Sequence, residues 1–112
     1  MEYRMVRAQA LSLPEVTEEP HFASASFRVK GKIFITVPPG ETHVHFFVSE
    51  QERELALAKY PEFAEKLMWD KKVSGLRVAL AKAKPAAVAA LVRKAWENKA
   101  PKSLLVAAGG AE

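Results

Sequence analysis

Apolar positions change their period several times along the chain, and each change marks a predicted element. Tyr3, Val6, Ala10 and Leu13 recur at helical spacing, predicting an N-terminal helix that Pro14 ends. The next stretch, Glu15 to Ser24 (EVTEEPHFAS), keeps neither period and reads as a loop, with Pro20 disfavouring helix at Glu19. From Ser26 to Val37 (SFRVKGKIFITV) the alternation is two-fold on both sides of one glycine, which predicts a hairpin. Parity chooses its turn. A two-residue loop would set Phe27 and Val29 on the face opposite Ile33 and Ile35. The expectation is therefore a three-residue loop, Val29-Lys30-Gly31, with Gly31 left-handed, Arg28 opposite Lys32 and Phe27 opposite Ile33. That register gives Phe27, Val29, Ile33, Ile35 and Val37 one face, and Arg28, Lys30, Lys32, Phe34 and Thr36 the other.

Beyond the turn signal Pro38-Pro39-Gly40, His43 to Val48 alternates as a third strand. Ser49 followed by Glu52 is a capping-box pattern for a helix to about Lys59, and Pro61 opens a short turn containing Phe63 and Leu67. Trp69, the basic turn Lys71-Lys72 and Gly75 lead into a fourth strand, Leu76 to Leu80, with Arg77 on the face away from Leu76, Val78 and Leu80. Pro85 starts an amphipathic helix carrying Val88, Leu91, Val92, Ala95 and Trp96 at helical spacing, ending before Pro101. Two terminal helices and about four strands predict an α+β two-layer sandwich, an antiparallel sheet packed by the N- and C-terminal helices. The expected core joins Phe27, Val29, Ile33, Ile35, Val44, Phe46, Leu76 and Val78 to Leu91, Val92 and Trp96. Trp69 and Trp96 are both expected as core anchors.

At 112 residues and 49% hydrophobic content the chain suits one core, read as a single domain over 1–105 with a flexible tail over 106–112. Its net charge of +4 is not spread evenly. Between Lys59 and Lys84 seven bases face three acids, so this stretch holds the whole surplus and favours an acidic partner. The absence of cysteine excludes disulfides, thiol catalysis and Cys-ligated zinc. MEYRMVRAQALSLP interrupts its apolar positions with charge, unlike a signal peptide, and no stretch approaches the roughly 18 apolar residues of a membrane span. A soluble, cytoplasmic protein without a membrane partner is expected, its oligomeric state open.

No G-x-S-x-G elbow, phosphate-binding loop or dinucleotide fingerprint occurs, and Asp70 is the chain's only aspartate, so a non-enzymatic role is expected. His21 beside Glu18 and Glu19 is suited either to acid–base work or to fastening a loop. His43 and His45 share a strand face and with His21 would give three imidazoles, but with no nearby aspartate or cysteine they form no spacing signature, and neither metal nor other cofactor is expected. The basic positions are more telling. Arg28, Lys30, Lys32 and Arg77 at helix-free positions, with Lys71 and Lys72 at a turn just before the strand of Arg77, present positive charge as two basic turns projecting from one sheet.

LSLPEVTEEPHF, SFRVKGKIFITV, the turn from Trp69 to Gly75 and AWENKAPKSLL together resemble the MmcQ/YjbR family over roughly residues 4 to 104. The resemblance implies a frataxin-like (CyaY-like) sandwich and a DNA-binding protein similar to the double-wing domain of a phage transcription factor. The chain departs from the family where Leu76, in place of a frequent tryptophan, follows Gly75. It also departs from the iron-binding frataxins, which carry an acidic ridge on the first helix. Between Met1 and Leu13 the only acid here is Glu2, beside Arg4 and Arg7. DNA is thus the expected partner, contacted through Arg28, Lys30, Lys32, Lys71, Lys72 and Arg77; the alternative is a small-molecule- or protein-binding module of the same fold.

Overall fold

A computed structural model describes residues 1–107. Helix α1 (Tyr3–Leu11) leads into strands β1 (Val16–His21), β2 (Ser24–Val29), β3 (Lys32–Val37) and β4 (His43–Phe46). Helix α2 (Glu50–Lys59), strands β5 (Ala64–Trp69) and β6 (Lys72–Ala79), a 3-10 turn (Leu80–Lys82) and helices α3 (Pro85–Lys99) and α4 (Lys102–Ala107) follow. The strands form one antiparallel sheet in the order β1-β2-β3-β4-β6-β5. The α+β sandwich expected from the sequence is therefore present, with two more strands than predicted.

Local chemistry explains the helices. Ser49 accepts a 3.2 Å hydrogen bond from the Glu52 backbone N–H, capping α2 as its sequence predicts. Pro85 opens α3, where its missing N–H costs nothing, and Ala87, Val88, Leu91, Val92, Ala95 and Trp96 bury one stripe of the helix. Trp96 is fully buried, and its indole N–H donates to the Pro14 carbonyl at 3.0 Å, so the core holds no unsatisfied indole.

Both added strands lie at the sheet's edges. Val16–His21, read from sequence as loop, pairs along its whole length with β2, and Pro20 is tolerated because its missing N–H lies on an edge strand. Ala64–Trp69, read as a short turn, pairs along β6. Edge strands bury little, so their sequences need not alternate; β1 is exposed from Thr17 to Pro20.

The central hairpin reaches the expected parity by a different device. Its turn is the two-residue Lys30-Gly31, both with positive φ (51° and 81°), a type I′ turn, and Val29 pairs with Lys32. Arg28 therefore faces Ile33 rather than Lys32. The register then shifts, so that Phe27 faces Ile35 and Phe34 becomes the extra residue of a β-bulge. The predicted left-handed Gly31 is present, while Ile33 and Phe34 exchange roles. Phe34 is fully buried in the core, and Ile33 is half-buried on the face it shares with Arg28. The other expected core residues are buried, with the exception of Trp69.

The fourth predicted strand starts earlier, at Lys72, and Leu80 belongs to the 3-10 turn. Val106 and Ala107, expected in the tail, close α4; the rest of that tail, 108–112, lies outside the described residues.

Candidate nucleic-acid interface

Every neighbouring strand pair is antiparallel, so β2 and β5 run in the same direction and the turns that follow them leave the same end of the sheet. These are Lys30-Gly31 and Asp70-Lys71, the latter closed by the pair Trp69 and Lys72. Three strand spacings separate them, about 14 Å.

The six predicted basic residues divide into two groups. Lys32, Lys71 and Lys72 are exposed and form no ion pair among the described residues. The other three have partners within the chain. Lys30 Nζ lies 3.0 Å from Glu15 Oε1. Arg28 donates through Nε to Ser26 Oγ at 3.2 Å and through a terminal nitrogen to the Pro20 carbonyl at 3.5 Å. Arg77 donates to His45 Nε2 at 2.8 Å and stands 3.6 Å from Glu65.

Arg77 belongs to a rung of side chains that crosses all six strands on the face away from the core: Glu19, Ser26, Thr36, His45, Arg77 and Glu65 are successive cross-strand partners. Guanidinium only donates, so His45 Nε2 accepts, and the ring proton sits on Nδ1, which donates to Thr36 Oγ1 at 3.4 Å. Burial, then the Arg77 charge and then His43, push the His45 pKa down to about 4. The imidazole is consequently neutral at neutral pH, and Arg77 is balanced by Glu65.

Above this rung lies a shallow cavity of about 400 Å³ lined by Thr36 and His45 together with Phe22, Phe47, Met68 and Trp69. Gly75 shapes it: a Cβ there would meet the Phe46 carbonyl oxygen at 2.8 Å and the Phe47 ring at 3.2 Å, so only glycine lets Phe47 lie where it does. Trp69, expected in the core, is 78% exposed, because it closes a two-residue turn at the end of an edge strand. Phe22 is 96% exposed, in a turn where its φ is 57°. A tryptophan directly before Asp-Lys-Lys was a readable sign of exposure; nothing in the sequence marks Phe22.

Glu18, Glu19 and His21 do not converge as an acid–base group. Glu18 receives Arg7 at 2.8 Å and the Tyr3 hydroxyl at 3.5 Å, tying β1 to α1, while Glu19 accepts from Thr17 at 2.9 Å and the His21 ring packs edge-on to Phe22 at 4.9 Å. Both nitrogens of His45 are engaged, and Thr42 contacts His43 Nδ1 at 2.9 Å. No group of three His, Cys, Asp or Glu side chains suited to a metal occurs among the described residues. A larger cavity, about 720 Å³, opens between Phe22 and Glu41, but its only charged groups are Glu18, Glu19 and Glu41, which would repel phosphate. No helix among the described residues is long and apolar enough to cross a membrane.

The YjbR family model matches residues 11–98, most of the chain, and the chain belongs to the YjbR family. Searches of curated proteins and of solved structures return no match.

Proposed function

We propose that the chain is a non-enzymatic DNA-binding module that contacts phosphates through its two lysine-bearing turns, with the open face of the sheet toward the nucleic acid. The supporting observation is that both turns leave one end of the sheet and carry Lys32, Lys71 and Lys72 exposed, without ion pairs among the described residues. Their spacing of about 14 Å is close to the roughly 12 Å width of a major groove, so the turns can reach phosphates on both sides of one. Arg28, Lys30 and Arg77 are held within the chain and serve to shape the face. This arrangement is the double-wing reading in reduced form, with three phosphate contacts in place of six.

Fluorescence anisotropy with labelled DNA at several salt concentrations tests it. Three released counterions predict a slope of log K against log salt of about −3 on duplex and about −2 on single strands. Changing Lys32, Lys71 and Lys72 together to Gln should remove most of the slope and leave the melting temperature unchanged, since exposed lysines contribute little to stability. Neutralising Lys82 and Lys84, beyond the opposite end of β6, should leave the slope intact. Absence of binding at low salt, or equal losses from the two variants, overturns the proposal.

A further inference from the structure

We infer that the cavity on the open face seats an unpaired nucleobase, stacked against Trp69 and facing Phe22, so that the chain selects single-stranded over base-paired nucleic acid. The inference rests on the phosphate-binding role proposed above and assigns the same face a second, separable contact.

Four observations meet here. Phe22 and Trp69, among the largest apolar side chains in the molecule, are left 96% and 78% exposed on the rim of one cavity, where neither supports the core. Phe22 also occupies a left-handed backbone conformation that a bulky side chain rarely adopts, and folding stability alone gives no reason to retain it there. The floor is uncharged: Thr36 and His45 offer hydrogen-bonding groups among apolar Phe47, Leu67 and Met68, and the Arg77 charge behind His45 is offset by Glu65. A neutral heteroaromatic ring with hydrogen-bonding edges suits such a floor, whereas a phosphate would find no free cation.

The charge lies at the rim instead. Lys72 is the cross-strand partner of Trp69, and Lys71 precedes it in the turn, so a base stacked on Trp69 brings its own backbone phosphate to the lysines. Ring and cation held side by side in this way are how single strands are gripped without sequence preference. A base inside a duplex cannot enter, since its faces are covered by neighbouring pairs.

The test compares a short oligo-dT with an abasic strand of equal length, which carries the same phosphates and no bases. Trp96 is fully buried, so quenching of tryptophan emission reports Trp69. Oligo-dT should quench and bind about 5- to 150-fold more tightly than the abasic strand. Trp69→Ala should bring that ratio near one with abasic affinity unchanged, and Trp69→Phe should keep part of it. An unchanged melting curve confirms that each variant folds. Equal affinity for both strands with no quenching overturns the base seat and leaves phosphate binding standing; failure of both strands to bind at low salt overturns both.

Discussion

Adjacent rungs of this sheet, one residue apart on every central strand, carry opposite chemistry. Phe27, Ile35, Phe46 and Leu76 are cross-strand partners with no exposed surface, covered by the helices, and the rung ends in charged Glu18 and Lys66 at the two edge strands. On the other face Ser26, Thr36, His45 and Arg77 form the matching polar rung, joined by side-chain hydrogen bonds from Thr36 through His45 to Arg77. The same backbone ladder supports both, so burying a hydrocarbon rung on one side leaves the other free to hold polar groups in fixed positions. The fully buried hydrocarbon lies on the first face and the proposed recognition chemistry on the second, and substitutions can test the division.

The largest effect should come from the covered face. Phe46→Ala removes a fully buried ring and leaves a cavity that close-packed neighbours fill poorly; a loss of about 3–5 kcal/mol is expected in urea denaturation. A loss below about 1 kcal/mol would mean that the two faces share the load.

A smaller, pH-dependent effect should come from His45 on the open face. Its folded pKa of about 4 lies below the ordinary 6.5, so between these values the unfolded chain binds a proton that the folded chain does not. Stability from neutral His45 is complete above about pH 6.5 and declines as pH falls toward 4. The decline should be about 1–2 kcal/mol, allowing for the water that reaches the half-buried ring. His45→Gln cannot titrate, and its stability measured across the same window should lack this component. Identical pH profiles for the two proteins would place the imidazole in an ordinary solvated setting.

The smallest effect has the opposite sign. Phe22 gives the core nothing and holds a positive φ that asparagine tolerates, so Phe22→Asn should raise stability by up to about 1 kcal/mol, read as a higher melting temperature. The same substitution should weaken the preference for oligo-dT over an abasic strand. Gain of stability with loss of binding would sharpen the contrast between the faces; loss of stability would show that Phe22 packs against the fold after all.

Much of the architecture is written locally. Ser49 with Glu52 marks the start of α2, Pro85 and Pro101 bracket α3, and the glycine at position 31 supplies the backbone freedom its turn uses. The lysines of the candidate interface are equally visible, because a run such as Asp-Lys-Lys between apolar segments marks an exposed turn and its flanks. Less was legible about which bases stay free. Lys30 finds Glu15, and Arg77 finds Glu65 and His45, through strand neighbours that no sequence spacing reveals.

The amino-acid order by itself determined helices α1 to α3, the central strands, the placement of charge and nearly all of the core, since periodicity, caps and turn residues act over a few positions. Tertiary structure alone decided the edge strands β1 and β5, whose non-alternating sequences become extended because a neighbour offers hydrogen bonds. It also decided the bulge that sends Phe34 inward and Ile33 outward, because only the facing strand defines a register. The cavity is the last such decision: it joins Phe22 on the β1–β2 turn to Trp69 on the opposite edge strand, across the full width of a sheet whose twist brings distant corners over one face.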